Sequence, residues 1–132
     1  MLKYILDTNI AIYVIRDRPV GALENFNRHA NQLCISSITL AELVHGVEKS
    51  EKVEHNRRQL EDFVSRLVVL EYGSKAAAHY GDIRAHLEHK GEPIGVNDLH
   101  IAAHARSEGL TLVTNNLKEF QRVNGLLLEN WV

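Results

Sequence analysis

Short apolar runs alternate along the chain with longer segments whose apolar residues recur at helical spacing. The apolar runs predict five strands, at Lys3–Leu6, Leu33–Ser36, Val68–Leu70, Leu110–Thr114 and Leu126–Leu128. The amphipathic segments predict helices at Thr8–Arg16, Val20–His29, Ile38–Glu48 and Glu51–Arg66, from Ser74 through Leu87, from Asn97 or Asp98 to Ser107, and a turn at Leu117–Phe120. Strands that alternate with helices in this way predict an α/β fold with a mainly parallel central sheet.

Several residues indicate where the predicted helices begin and end. Pro19 suits the start of the second helix, where its missing N–H is not needed. Ser74 is predicted to cap the helix that it begins, and Gly109 to end a later helix. The segment from Glu48 to Arg58 is so polar that it predicts either a mobile helical hairpin or a solvated helix face.

The composition is that of an ordinary folded protein, with 45% hydrophobic and 24% charged residues in a chain of 132. No apolar run approaches the roughly 20 residues that span a bilayer. Asp7 also interrupts the N-terminus too early for a signal peptide, so we expect a cytoplasmic protein with no membrane partner. Cys34 is the only cysteine, which excludes an intrachain disulfide and a four-cysteine zinc site.

The net charge of −2 argues against a protein that coats nucleic acid by bulk charge. It does not exclude a nuclease, which needs an acidic centre to hold metal and local basic residues to hold phosphates. The basic residues expected to contact phosphates are Arg16, Arg18, Lys49 and Lys52. The alternative for each of them is a solvated position on the surface.

Three acidic residues are predicted at one edge of the sheet, outside the carboxyl ends of the strands where ligands bind in open parallel sheets. Asp7 ends the first strand, Glu42 lies in the first helical turn after the second, and Asp98 opens the helix before the fourth. Three carboxylates gathered there would repel one another without a cation. A hard divalent ion such as Mg²⁺ relieves that repulsion and can activate water and neutralise a phosphate.

Each acid also has a purely structural alternative as a helix cap. Asp7 could cap the helix that follows it, and Asn97 or Asp98 could cap theirs. Thr39 and Glu42 match the capping box, in which a hydroxyl and a carboxylate satisfy free amides reciprocally. It is the joint pattern of three acids that favours a metal site over three separate caps.

Four motifs in a characteristic order carry a family resemblance. They are Leu6-Asp7-Thr8-Asn9, Ser37-Ile38-Thr39-Leu40-Ala41-Glu42-Leu43, Ile94-Gly95-Val96-Asn97-Asp98-Leu99 and Val113-Thr114-Asn115-Asn116. Together with Glu119-Phe120 and Asn130-Trp131, they resemble a PIN-domain ribonuclease of the VapC toxin type over essentially the whole chain. The resemblance implies that residues 1–132 form a single PIN domain, an α/β/α sandwich with a parallel sheet. It also implies an Mg²⁺- or Mn²⁺-dependent endoribonuclease that forms a homodimer.

The resemblance further implies partners and a substrate. Toxins of this type are held inactive by a cognate VapB antitoxin, whose C-terminal segment wraps the toxin and can place a basic side chain in the acidic site. The pair usually represses its own operon, with operator DNA contacted by the antitoxin. Enterobacterial members cut the anticodon stem-loop of initiator tRNA, so we expect this tRNA as the substrate and inhibition of translation as the consequence.

The family's acidic positions map onto Asp7, Glu42 and Asp98. The resemblance implies that Asp7 and Asp98 hold the metal, directly or through water, and that Glu42 completes the site or positions the attacking water. Many PIN domains have a fourth acid where this chain has Asn116, whose amide adds no charge. Glu119 is a nearby carboxylate that can replace it. The residues expected to orient the ligands are Thr8, Asn9 and Thr114.

Two other function classes remain open. A phosphoaspartyl phosphotransferase also places an aspartate nucleophile after the first strand and uses Mg²⁺. The haloacid-dehalogenase pattern, however, has a second aspartate where this chain has Asn9. A non-catalytic binding module could instead use the acidic pocket to receive an arginine from a partner. Metal-dependent cleavage of RNA would separate the nuclease from both alternatives.

A pair of histidines suggests a different metal. His100 and His104 are one helical turn apart, a spacing that zinc enzymes use. Ile101 stands where the metalloprotease motif has its glutamate, and both histidines point roughly 120° to 160° away from Asp98 around the helix. We therefore expect no zinc site there.

Overall fold

A five-stranded parallel sheet lies at the centre of the computed structural model, which describes residues 1–18 and 20–132. Its strands are β1 (Tyr4–Leu6), β2 (Leu33–Ser36), β3 (Val68–Leu70), β4 (Thr111–Val113) and β5 (Leu127–Glu129). Their spatial order is β3-β2-β1-β4-β5, and each of the four pairings is parallel. This confirms the predicted fold class, and the five predicted strands are present with boundaries that differ by one residue at most.

Helices connect the strands and cover both faces of the sheet. Within the described residues they are α1 (Thr8–Arg16), α2 (Val20–Arg28), α3 (Ser37–Glu48), α4 (Val53–Val64), α5 (Ser74–His89), α6 (Val96–Glu108) and α7 (Leu117–Phe120). The predicted helices are therefore confirmed to within two residues at most of their boundaries. Pro19, predicted to open α2, lies outside the described residues. No helix in residues 1–18 and 20–132 is both long and apolar enough to cross a membrane.

Side chains of successive strand residues pack into two separate hydrophobic cores, because they alternate between the faces of a sheet. On one face, Tyr4, Leu6 and Ile35 pack with residues of α1 to α4. On the other face, Ile5 and Leu112 pack with residues of α5, α6 and α7. The result is an α/β/α sandwich. Burial on both faces also explains why these strands are continuous apolar runs in the sequence.

The position of β1 creates a crevice at one edge of the sheet. β1 lies between β2 and β4, so the chain leaves β1 on one side and returns on the other. In a parallel sheet such a switch point opens a crevice outside the carboxyl ends of the two strands. Asp7 directly follows β1 and Thr114 directly follows β4, so the topology places both residues at this crevice.

The start of α3 differs from the sequence prediction. Ser36, the last residue of β2, caps the helix by accepting a hydrogen bond of 3.1 Å from the Ile38 N–H. The predicted capping box of Thr39 and Glu42 is wrong, because the helix begins at Ser37 and places Glu42 in its second turn rather than its first. The Glu42 carboxylate is therefore free to bond with other elements.

The starts of α5 and α6 also differ from the prediction. Gly73 and Gly95 are the N-cap residues, and no side chain of the described residues caps either helix. The predicted caps Ser74, Asn97 and Asp98 thus lie inside the first turn instead. The end of α6 is as predicted: Gly109 adopts the left-handed conformation, with φ of 66°, which glycine tolerates without steric cost.

The polar segment from Glu48 to Arg58 forms the connection between α3 and the first turns of α4. Arg57 pairs with Glu48 at the end of α3 and with Glu54 on its own helix. Farther along α4, Leu60 and Phe63 are buried in the same core as α3. The segment is therefore a helical hairpin with a solvated outer face, which combines features of the two predicted alternatives.

Candidate active site

Asp7 joins the ends of β1 and β4 at the crevice. One carboxylate oxygen accepts a hydrogen bond of 3.1 Å from the Ile10 N–H and so caps α1, as predicted. The Thr114 hydroxyl donates a bond of 2.6 Å to the other oxygen. Asp7 is only 6% exposed. Burial raises the pKa of Asp7, while the bonds from Thr114 and from the helix amides oppose that effect.

Asp98 and Glu119 form a carboxyl pair beside Asp7. Burial, followed by the hydrogen bond and the charge of Glu119, raises the pKa of Asp98 to about 7. Burial also raises the pKa of Glu119, but bonds from Asp98, Asn116 and the Gly95 N–H outweigh it and hold that pKa below its usual value. Below about pH 7 the pair therefore holds one proton, and Asp98 carries it.

A continuous chain of hydrogen bonds connects Asp7 with Asp98. Thr114 donates to Asp7 and accepts a bond of 3.0 Å from the Asn116 N–H. The Asn116 side-chain amide donates a bond of 3.1 Å to Glu119, which pairs with Asp98. Asn116 thus stands where the fourth acid of other PIN domains was expected, and it bonds to the carboxylate that was expected to replace that acid.

Glu42 accepts hydrogen bonds from the chain neighbours of the two aspartates. Its oxygen Oε1 accepts a bond of 2.8 Å from the Thr8 hydroxyl, and Oε2 accepts a bond of 3.1 Å from the side-chain amide of Asn97. Its charge contributes to the raised pKa values of Asp7 and Asp98. The three acids predicted from sequence therefore lie in a common electrostatic environment, although they come from the start of α1, the second turn of α3 and the first turn of α6.

The chemistry of these donors fits a hard divalent cation. Carboxylate, hydroxyl and amide oxygens are the ligands that such ions prefer, and Mg²⁺ sites commonly use one or two carboxylates with waters and substrate phosphates. In residues 1–18 and 20–132, no group of three or more His, Cys, Asp or Glu side chains is placed to hold a metal ion, so a cation here would need waters and substrate phosphates as further ligands. Burial first, and then the charges of Glu119, Asp7 and Glu42, raise the pKa of Asp98, and a bound cation would oppose both effects.

A cleft of about 610 Å³ lies between α1, α3 and α4 and includes Glu42, whereas Asp7, Asp98 and Glu119 are not among the described residues that line it. Thr8 and Asn9 also line this cleft, and its apolar residues include Ile12 and Leu43. Of the four basic residues predicted to contact phosphates, Arg16 and Lys49 line this cleft. Arg18 and Lys52 are exposed but are not among the described residues that line it.

The two histidines of α6 contact other elements instead of the acids. His104 is buried, and its Nδ1 lies 2.8 Å from the Ser36 hydroxyl. The Nδ1 atom of His100 lies 2.8 Å from the Tyr72 hydroxyl, and Tyr80 stacks on the ring at 4.3 Å. Both histidines therefore have structural partners. Cys34 is buried in the core, as its place in a strand predicted.

Comparison with known proteins identifies the family. The sequence pattern of the PIN domain matches residues 4–126 of this chain. A protein named Ribonuclease VapC2 from Haemophilus influenzae is 61% identical over 132 residues, with all of both chains covered. This chain belongs to the VapC ribonucleases of the PIN domain family. The resemblance on which the sequence analysis relied is thereby confirmed.

Two further VapC proteins are similar over almost their full length. The tRNA(fMet)-specific endonuclease VapC of Shigella flexneri is 52% identical over 131 residues, which is 99% of each chain. The crystal structure of DNA-bound VapBC from Salmonella typhimurium contains a chain that is 51% identical, with a TM-score of 0.96 and full coverage of both chains. PIN-domain ribonucleases of this kind depend on a metal ion.

Asn97 is the residue of the site whose contact the sequence did not reveal. Its position in a helix start suggested a cap, and nothing in the local pattern pointed to Glu42, which is 55 residues away in the chain. Only the packing of α6 beside α3 brings the two together. In the sequence, the one indication that Asn97 belongs to the site was its position immediately before Asp98.

Proposed function

We propose that this chain is an Mg²⁺- or Mn²⁺-dependent endoribonuclease that acts as the toxin of a toxin–antitoxin pair. The observation that carries the proposal is the buried carboxylate of Asp7, which Thr114 holds at the switch point of the sheet beside the Asp98–Glu119 pair. A buried acid beside two further carboxylates is costly unless a cation compensates it. Hydrolysis of a phosphodiester makes use of such a cation.

Asp7 and Asp98 would hold the cation, directly or through water, and Thr114 would fix the orientation of Asp7. Loss of the proton that Asp98 shares with Glu119 frees the Asp98 carboxylate to act as a ligand. When bound, a divalent cation supplies Lewis acidity toward water and the scissile phosphate. Glu42 would orient the attacking water, and in-line attack would leave a 5′-phosphate and a 3′-hydroxyl.

The proposed substrate is initiator tRNA, cut in its anticodon stem-loop, with inhibition of translation as the result. The support is the 52% identity to a Shigella protein named as a tRNA(fMet)-specific endonuclease. Arg16 and Lys49 are suitably placed to contact phosphates, because both line the cleft that includes Glu42. Asn9 lies on the wall of the same cleft and would orient ligands or substrate there.

The proposed partners are a VapB-type antitoxin and a second copy of this chain, within a cytoplasmic complex. The VapBC structure from Salmonella, which is named as DNA bound, supports an antitoxin that contacts operator DNA for the pair. The apolar residues Ile12 and Leu43 of the cleft, together with its Glu42 carboxylate, fit an antitoxin segment that carries a basic side chain. We further propose that residues 1–132 function as a single PIN domain.

The test is cleavage of purified total tRNA by antitoxin-free protein, with Mg²⁺ and with EDTA. The matched variant is Asp7→Asn, which keeps an oxygen that can cap α1 but removes the charge. We expect discrete fragments from the wild type with Mg²⁺ and a loss of at least about 100-fold in the variant. End mapping identifies the RNA and the bond that is cut.

Two outcomes would contradict the proposal. Cleavage by Asp7→Asn at the wild-type rate would remove Asp7 from the site. Absence of RNA cleavage by folded wild type, together with hydrolysis of a phosphomonoester, would favour the phosphotransferase alternative. Circular dichroism of both proteins verifies that they are folded.

A further inference from the structure

The carboxylate of Glu42 is held from two sides by neutral donors. The Thr8 hydroxyl, on the first turn of α1, donates to Oε1 at 2.8 Å. The Asn97 amide, on the first turn of α6, donates to Oε2 at 3.1 Å. Glu42 itself belongs to α3, so three helices from separate parts of the chain meet at this carboxylate.

The two donors are chain neighbours of the two aspartates. Thr8 directly follows Asp7, and Asn97 directly precedes Asp98. Because consecutive Cα atoms are held at about 3.8 Å, each donor moves with its neighbouring aspartate. The position of Glu42 is therefore tied to the backbone that carries both other acids.

Asn97 has no evident structural task apart from this contact. Gly95 is the N-cap of α6, and Asn97 does not cap the helix. Its side chain is exposed, and within the described residues its amide makes a hydrogen bond only with Glu42. Thr8, in contrast, also lies 3.4 Å from the buried Thr39 hydroxyl and has a packing role.

We propose that Asn97 is a positioning residue of the ribonuclease, which fixes the plane of the Glu42 carboxylate through its side-chain amide. This inference rests on the proposed function, in which Glu42 orients the attacking water. A glutamate has several rotatable bonds, and a single donor on one oxygen leaves the other oxygen free to turn. A second donor on a second helix removes that freedom and preorganises the group.

The kinetic test compares variants of Asn97 in the full chain with Mg²⁺. We expect Asn97→Ala to lower kcat about 10-fold while KM changes less than about twofold, because the residue acts on orientation and not on RNA affinity. Asn97→Gln keeps the amide and should recover most of the loss. Asn97→Asp faces Glu42 with a like charge and should lose more than the alanine variant.

The matched control is Asn115→Ala. Asn115 is likewise exposed near the site, but its amide donates to the Tyr13 hydroxyl at 3.0 Å and not to a carboxylate. We expect kcat of this variant within about twofold of the wild type. An unchanged kcat in Asn97→Ala would overturn the positioning role. A rise in KM alone would also overturn it and would indicate direct contact with RNA instead.

A second test identifies the partner through which Asn97 acts. In a Glu42→Ala background, measured under single-turnover conditions, Asn97→Ala should add less than about a twofold further loss. A full additional 10-fold loss would overturn the proposal, because Asn97 would then act without Glu42.

A measurement that needs no activity separates this inference from the proposed function. In ¹H–¹⁵N spectra, the side-chain amide of Asn97 is assigned by its disappearance in Asn97→Ala. We expect it to shift in Glu42→Ala and to stay in place in Glu24→Ala, which changes an exposed glutamate of α2. An unmoved signal in Glu42→Ala would overturn the contact. A wild type that cleaves no RNA would instead contradict the proposed function.

Discussion

At Asp7, the predicted cap of α1 is confirmed, and it is compatible with the proposed role of the same carboxylate in metal binding. One oxygen caps α1 and the other accepts the Thr114 hydroxyl. A cap uses only part of the hydrogen-bonding capacity of a carboxylate, since each oxygen has two lone pairs. An acid at a helix start can therefore cap the helix and still face a ligand. From the sequence alone, the helix cap and the metal ligand had been alternative roles for Asp7.

The carboxyl pair of Asp98 and Glu119 predicts a dependence of stability on pH. The pKa of Asp98 is about 7 in the folded protein against a usual value of 3.8, so the folded state binds the proton more tightly than the unfolded state. Its contribution to the free energy of unfolding is complete below about pH 4 and is lost as the pH rises to about 7. Above that range the ionised pair destabilises the fold.

We therefore expect Asp98→Asn to raise the free energy of unfolding by about 1 kcal/mol at pH 8, which is a few degrees in Tm. The difference should disappear by about pH 4. Thermal unfolding followed by circular dichroism in EDTA, across this pH range, is the measurement. Asp82→Asn is the opposite control, because a hydrogen bond from Arg106 lowers the pKa of Asp82 and its loss should destabilise the fold at pH 8. A Tm difference for Asp98→Asn that does not vary with pH would contradict this account.

At the scale of elements, strand and helix positions follow from periodicity, but helix starts do not. Gly73 and Gly95 precede α5 and α6 without offering a side-chain acceptor, so the preference for Ser, Asn or Asp at caps placed those two caps one to three residues too late. At α3 the cap is Ser36, which the pattern had assigned to the end of a strand. A residue at such a junction belongs to both elements.

Ser36 provides the second stability prediction. Its hydroxyl accepts the Ile38 N–H and contacts Nδ1 of the buried His104. Ser36→Ala removes the cap of α3 and leaves a buried ring nitrogen without a partner, so we expect a loss of about 2 kcal/mol in the free energy of unfolding by urea. Ser74→Ala is the control, since Ser74 caps no helix, and it should change stability by less than about 0.5 kcal/mol. A loss of stability in Ser36→Ala no larger than that in Ser74→Ala would show that neither contact of Ser36 stabilises the fold.

At the scale of the whole molecule, a net charge of −2 leaves RNA binding to local charge. Arg16, at the end of α1, and Lys49, at the end of α3, line the same cleft as Glu42, so phosphates can be held in that cleft although the chain is slightly acidic. Such contacts release counterions and make affinity depend on salt. The proposed arrangement separates basic residues that would contact RNA from the acidic residues that would hold the metal.

This distribution predicts the salt dependence of RNA binding. In an Asp7→Asn background that does not cleave, Arg16→Gln with Lys49→Gln should weaken tRNA binding and reduce the slope of log affinity against log salt by about 1.5. Lys75→Gln is the control, because Lys75 pairs with Glu108 at the opposite end of α6 from Asp98. Filter binding between about 50 and 200 mM salt measures the slopes. An unchanged slope in the double variant would place the RNA elsewhere on the molecule.

The sequence by itself determined the elements, the parallel sheet and the three acids at its edge. Apolar periodicity is a local property, and residues that follow parallel strands must share an edge. The tertiary structure alone decided which side chains meet: that Glu42 bonds to Thr8 and Asn97, that Asp98 shares a proton with Glu119, and that Arg16 and Lys49 line the cleft while Arg18 and Lys52 do not. These contacts join residues that lie far apart in the chain. They depend on how helices pack, which no local pattern records, because a side chain's partner is set by the orientation of its helix against its neighbours.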